Sequence, residues 1–145
     1  VYAPAERALT PDDERLHGLK VLVAEDNLIN QRVIRGLLGK LGCSVFVAEN
    51  GAEALSALAT QTFDLVLMDC QMPVLDGFEA TMRLRERYGA DLPVVALTAG
   101  TMEGDRQRCI AAGMSDFLAK PVRPEDLQRV LSRFRSAREM ASVGT

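Results

Sequence analysis

Five residues carry the side chains with which a protein could move a phosphoryl group. They are the adjacent acids Glu25 and Asp26, the acid Asp69, the hydroxyl of Thr98 and the ammonium of Lys120. Each stands at the end of a short apolar run, in VLVAED, LVLMD, VVALT and DFLAK. Three carboxylates drawn to one place repel one another, which raises a pKa unless a cation intervenes. A hard divalent ion that keeps some waters and takes one or two carboxylates suits such a set, and Mg2+ fits. Asp69 can then act as a nucleophile, since carboxylates form aspartyl phosphates. Phosphoryl transfer is chiefly positioning and neutralisation of the phosphoryl oxygens. Lys120 offers a second cation, Thr98 a donor, and the small Ala99 leaves the approach open. One acid at a strand end does no more than solvate a loop; the set of five argues for chemistry.

Those residues need a scaffold that brings strand ends together. LKVLVAED reads as a buried strand ending in acids. Ile29, Val33, Ile34, Leu37, Leu38 and Leu41 recur at helical spacing until Gly42. SVFVAE is a second strand. Asn50 opens the next helix, with Glu53 as its capping-box partner and Ala54, Leu55 and Leu58 as its apolar residues. FDLVLMD is a third strand, apolar enough to be covered on both faces. The loop CQMPVLDG precedes a helix over about 78–88, closed by Gly89. LPVVALTA is the fourth strand, a weaker helix spans about 102–112, and SDFLAK is the fifth strand. The last helix starts with Pro124, Glu125 and Asp126, which suit a helix N-terminus. Leu127, Val130, Leu131 and Phe134 form its inner stripe. The pattern predicts an α/β fold, a flavodoxin-like (βα)5 doubly wound parallel sheet with strand order 2-1-3-4-5. In that order strands 1, 3, 4 and 5 are adjacent, so the five side chains converge at the carboxyl edge.

The segments VLVAEDNLINQ, MDCQMPVLDG, ALTA and AGMSDFLAKPV together resemble the receiver domain of two-component response regulators. The likeness spans about 19–137. The forms EDN-x-x-NQ and MDCQMP are most similar to receivers of hybrid sensor histidine kinases. The resemblance implies that Asp69 is the phosphoacceptor, with Thr98 and Lys120 as the active-site hydroxyl and lysine. It implies Mg2+ held by Asp26 and Asp69, by Glu25 through water, and by the backbone carbonyl of Gln71. It implies a cis bond before Pro121 and a switch pair of Thr98 and Phe117. Many members carry Tyr where Phe117 stands, so any rotamer switch here rests on packing. ALTAGT also departs from the commoner LTA-x-A at Thr101. The partners implied are a histidine kinase dimerisation and phosphotransfer domain or a histidine phosphotransfer protein, docking beside the first helix near Asn30 and Val33. The helix after strand 4 holds Gly104 in its interior and has few apolar anchors, so it is the expected mobile element.

Composition agrees with one domain. The chain has 145 residues, 48% of them hydrophobic, and a formal net charge of −3, which gives a nucleic-acid role no support. No apolar run is long enough for a membrane span. Cys43, Cys70 and Cys109 lack C-x-x-C spacing, which argues for reduced thiols in a cytoplasmic setting. Cys70, Met68 and Met72 are expected to fill space. Residues 1–18 read as a linker, with His17 solvated in it, 19–138 as the receiver, and 139–145 as a frayed tail. The arginines near that end read as a solvated face. Val1 in place of Met points to a piece of a longer chain, whose parent could itself be anchored in a membrane. The alternative is a receiver cut from a response regulator with a DNA-binding output domain; nothing in 123–145 resembles a helix-turn-helix. A haloacid-dehalogenase-type hydrolase would need a second acid after the nucleophile, and the segment is Asp69-Cys70-Gln71. A flavin module would need a glycine-rich phosphate loop where AEDNLIN stands.

Overall fold

Strand and helix signals alternate along the sequence, and they resolve into alternating elements in a computed structural model that describes residues 18–99 and 103–144. The strands are β1 (Lys20–Ala24), β2 (Ser44–Ala48), β3 (Leu65–Asp69), β4 (Val94–Thr98) and β5 (Asp116–Ala119). Between and after them run α1 (Leu28–Lys40), α2 (Gly51–Thr60), α3 (Gly77–Tyr88), α4 (Glu103–Ala112) and α5 (Pro124–Gly144). All strand pairs are parallel, in the order β2-β1-β3-β4-β5. The chain steps from β1 to β2, then reverses past β1 to lay down β3, β4 and β5. That reversal makes a switch point between β1 and β3.

Side chains along a strand face opposite sides in turn, and this sorts the core into two halves. Leu22, Val66, Met68 and Ala96 pack with Ala54 of α2, Leu84 of α3 and Cys109 of α4. Val21, Val23, Leu67, Val95 and Leu97 pack with Ile34 and Leu38 of α1 and with Leu127 and Leu131 of α5. Every residue of β3 and β4 is buried, as strands covered on both faces must be. The edge strand β2 is instead partly exposed.

Local signals set the helix starts. Asn27, Asn50 and Asp76 each accept from a backbone N–H three residues on, at 3.0, 2.9 and 2.9 Å. The expected reciprocal bond in the second of these lands one residue early. Glu53 accepts from the N–H of Glu49 at 2.9 Å, because Asn50 has swung into fully extended backbone. The stretch 139–144, expected as part of a frayed tail, is described as helix. Helix α5 runs on to Gly144, since SAREMASV is rich in helix formers and holds no Gly or Pro to stop it. The linker expected over 1–18, His17, Thr101 and Met102 lie outside the described residues, apart from Gly18. That residue is in a turn and donates to Gly42 O at 3.0 Å.

One polar side chain ties two connections together at the far end of the sheet, the one from α3 to β4 and the one from α4 to β5. Arg85, near the end of α3, donates to Gly113 O at 2.8 Å, Leu92 O at 2.6 Å, Gly89 O at 3.1 Å and Ser115 Oγ at 3.3 Å. Gly89 takes φ of 82° there to turn the chain out of the helix. Ser115 in turn accepts from the N–H of Val94 at 3.1 Å. The planar guanidinium satisfies carbonyls that an ammonium cannot span together. We expect Arg85→Ala to lower unfolding free energy by about 2–3 kcal/mol in urea titrations, with Arg85→Lys recovering less than half.

Candidate functional site

The carboxyl edge of the sheet collects charge. β1 ends at Ala24, so Glu25 and Asp26 follow directly; β3 ends on Asp69; β5 ends at Ala119, one residue before Lys120. The register pairs Ala24 with Met68, Asp69 with Leu97, and Thr98 with Ala119. The topology therefore places these residues side by side although they are remote in sequence.

Lys120 organises the cluster. Its Nζ donates to Asp69 Oδ2 at 2.8 Å and lies 3.1 Å from Glu25 Oε1. Glu25 is fully buried and Asp69 nearly so. The two contacts differ in kind: the first is an aligned hydrogen bond, whereas Glu25 Oε1 has the ion pair but no aligned donor. Burial acts to lower the Lys120 pKa most strongly among single causes. The Asp69 hydrogen bond and the charges of Asp69 and Glu25 together outweigh it, and the pKa stands raised. The cation that relieves carboxylate crowding is thus partly supplied by the chain itself.

Backbone and amide donors hold the acids in place. Glu25 Oε2 accepts from Asn27 N–H at 3.0 Å and from Asn30 Nδ2 at 3.4 Å. Gln31 Nε2 donates to the Glu25 carbonyl at 2.6 Å. Asn27 and Gln31 had no assigned role in the sequence and Asn30 only marked a docking region, although all three sit in the EDN-x-x-NQ text; their spacing puts them at the N-cap and first turn of α1, facing back onto Glu25. Asp69 Oδ1 accepts from Gln71 N–H at 3.2 Å. The loop after β3 folds back tightly, with Gly77 N–H bonded to Cys70 O at 3.1 Å. A Cβ at Gly77 would be driven into the Asp69 carbonyl, so only glycine fits.

Carboxylate oxygens of Glu25, Asp26 and Asp69 lie within 4.8 Å of one another. The buried Glu25 oxygen without an aligned donor, together with exposed Asp26, fits a hard cation entering from solvent. The remaining expected residues flank this set. Thr98 is buried at the end of β4, and its carbonyl accepts Lys120 N–H at 2.8 Å. Ala99 is exposed. The Lys120–Pro121 peptide is cis. Phe117 is half-buried against the core, with the Arg106 guanidinium 4.8 Å from its ring centre.

Fold and site together define a doubly wound α/β domain with a cluster of carboxylates and one lysine at its switch point. The profile for the response regulator receiver domain matches residues 21–132. The chain belongs to the response regulator receiver domain family. It is 40% identical over 121 residues to hybrid signal transduction histidine kinase I of Dictyostelium discoideum, covering 78% of this chain and 7% of that protein. The chain thus spans less than a tenth of that relative. Among solved structures it resembles the receiver domain of sensor histidine kinase PA1611 from Pseudomonas aeruginosa PAO1, crystallised with a magnesium ion in its active site cleft. The TM-score is 0.77 at 43% identity, covering 82% of this chain and 98% of that one. It also resembles the complex of the Saccharomyces cerevisiae histidine phosphotransfer protein Ypd1 with the receiver domain of Ssk1. The TM-score is 0.79 at 30% identity, covering 84% of this chain and 92% of the matched one. Among the described residues, no helix is long and apolar enough to cross a membrane.

The raised Lys120 pKa has a testable sign. Its contribution to stability is complete below the ordinary value of 10.5 and is lost as pH rises through the higher folded value. We expect unfolding free energy of the wild type to fall more steeply above that pH than that of Lys120→Met. Parallel curves in chemical denaturation between neutral and strongly alkaline pH would contradict it.

Proposed function

We propose that this receiver accepts a phosphoryl group from phosphohistidine onto Asp69 and then relays it or loses it to water. The observation that carries this reading is the 2.8 Å contact of Lys120 Nζ with Asp69 Oδ2, inside a cluster of three carboxylates. An Asp69 oxygen attacks phosphorus, the P–N bond breaks, and the histidine nitrogen keeps the electron pair. Lys120 lies where it neutralises phosphoryl oxygens as they gain charge, and the Thr98 hydroxyl offers a donor at the neighbouring strand end. Glu25, Asp26, Asp69 and the Gln71 carbonyl would hold Mg2+. When bound, that ion supplies divalent charge that relieves repulsion among the carboxylates and the incoming phosphoryl oxygens. The domain performs this chemistry on itself and is not a turnover enzyme. Phe117, packed on the core, is the switch position that Thr98 would act on, and Pro121 helps aim Lys120.

Much longer relatives named as hybrid histidine kinases support a hybrid sensor histidine kinase as the parent; in that reading residues 1–18 would be linker and the site of action cytoplasmic. The yeast complex supports a histidine phosphotransfer protein as donor or next acceptor. An apolar rim fits that partner. Leu28, Ile29 and Val33 on α1 are exposed beside the acids, and Val74 is 81% exposed in the loop after β3. Val74 also holds φ of 69°, an unfavourable conformation for a β-branched residue.

Two outcomes follow. Asp69→Asn should accept no phosphate from acetyl phosphate or a phosphohistidine donor in intact-mass measurements, and wild-type labelling should stop in excess chelator. Stoichiometric phosphate on the Asn variant would defeat the assignment. Ile29→Asp should slow transfer from a phosphorylated histidine phosphotransfer protein by about tenfold or more, the cost of burying a charge in an apolar contact. Labelling by acetyl phosphate, which needs no docked protein, should stay within about twofold of wild type. Equal slowing by both donors would show that Ile29 acts on the acceptor and not on docking.

A further inference from the structure

Cys70 and Cys109 stand 39 positions apart in sequence, yet their sulfurs lie 3.9 Å apart in the core. Both are buried. Cys70 is bonded into the acceptor segment, its N–H to Leu97 O at 3.2 Å and its carbonyl to Gly77 N–H at 3.1 Å. Cys109 lies on the inner face of α4. Among the described side chains of that helix, it and Ala112 are the buried ones, while Ile110 is exposed. We propose that Cys70 and Cys109 form a reversible disulfide, closed by an oxidant of the peroxide class, that ties α4 to the segment carrying Asp69.

The sulfurs must approach from 3.9 Å to about 2.05 Å, by side-chain rotation together with a small shift of α4 toward the sheet. An element whose described buried side chains are two small ones opens at low cost, and such opening admits the oxidant to thiols that are covered in the closed state. One thiolate attacks a peroxide oxygen; the O–O bond breaks, the departing oxygen takes a proton as water, and the sulfur becomes a sulfenic acid. The second thiolate attacks that sulfur; the S–S bond forms, the S–O bond breaks, and hydroxide leaves to become water. Two thiols lose two electrons and two protons, and one hydrogen peroxide becomes two waters. A dithiol reverses the bond by exchange. Cys70 reads from sequence as a space-filling residue because no basic neighbour stands near it along the chain to favour its thiolate. Its partner thiol comes from α4. The bond goes beyond the phosphorelay reading, and its formation does not depend on Asp69 being the acceptor. Its consequence is that the oxidised form holds α4 still.

The test uses the whole chain with Cys43→Ser, so that Cys70 and Cys109 are the two cysteines left. It is oxidised with hydrogen peroxide, denatured and blocked with N-ethylmaleimide. The expected result is a mass loss of about 2 Da with no maleimide added, undone by dithiothreitol. Digestion should give one cross-linked peptide holding both cysteines, and wild-type protein should give the same peptide if the Cys43→Ser substitution perturbs folding. Adding Cys109→Ala should abolish the mass loss. Amide exchange over 106–112 should slow by about tenfold on oxidation. Maleimide on both cysteines after oxidation, added oxygen without a cross-link, or covalent dimers would overturn the bond. Unchanged exchange in a cross-linked sample would overturn the hold on α4. Loss of phosphate acceptance by Asp69→Asn is read separately by mass and leaves this result untouched.

Discussion

Two carboxylates sit out of water at the end of the sheet, and a single ammonium makes that tolerable. Isolated buried charge is costly, and a pair recovers the cost only with good geometry and further hydrogen bonds. Lys120 reaches both Asp69 and Glu25, while backbone and amide N–H groups take other lone pairs of each acid. The arrangement constrains the rest of the molecule. β5 must lie beside β4 so that Thr98 O can hold Lys120 N–H, α1 must begin just after the acids so that Asn27 and Asn30 face Glu25, and the loop after β3 must turn back at once, through Gly77.

The same constraint explains why the site is poised and not satisfied. A closed, fully paired network would leave nothing for a ligand to improve. Here one buried Glu25 oxygen lacks an aligned donor, and Asp26 is exposed at the same place. Added positive charge finds a receptive site, and the Lys120 ammonium is already oriented beside Asp69. Function on this fold lies in such placement, since the sheet alone hosts many chemistries.

The two halves of the core divide the labour. On one side α1 and α5 cover the sheet with large side chains such as Ile34, Leu38, Leu127 and Leu131, all well buried. On the other side α4 contributes the small Cys109 and Ala112, and arginines spread over aromatic faces, Arg106 on Phe117 and Arg108 on Phe78. A guanidinium that stays exposed to water, as those of Arg106 and Arg108 do, holds a ring weakly. The face opposite α1 is therefore the less heavily anchored one among the described side chains, and it is also where Cys70, next to Asp69, meets α4.

Sequence alone determined the strand ends and what they carry, because apolar runs of strand length ending in Glu25, Asp26, Asp69, Thr98 and Lys120 are local patterns. It determined the sheet order too, since right-handed crossovers between parallel strands leave few arrangements. Cap residues are equally local, and Asn50 and Pro124 are legible directly. The span of α5 is not, because helix formers such as Arg138, Glu139 and Met140 carry no stop signal and a charged end resembles a frayed one. Tertiary structure alone decided which nitrogen meets which oxygen. Lys120 choosing Asp69 and Glu25, Asn30 turning back onto Glu25, Arg85 gathering the carbonyls of Gly89, Leu92 and Gly113, and Cys70 meeting Cys109 all join residues through the crossover geometry. Periodicity reports which face of an element is buried; the partner across that face is fixed only when the elements pack.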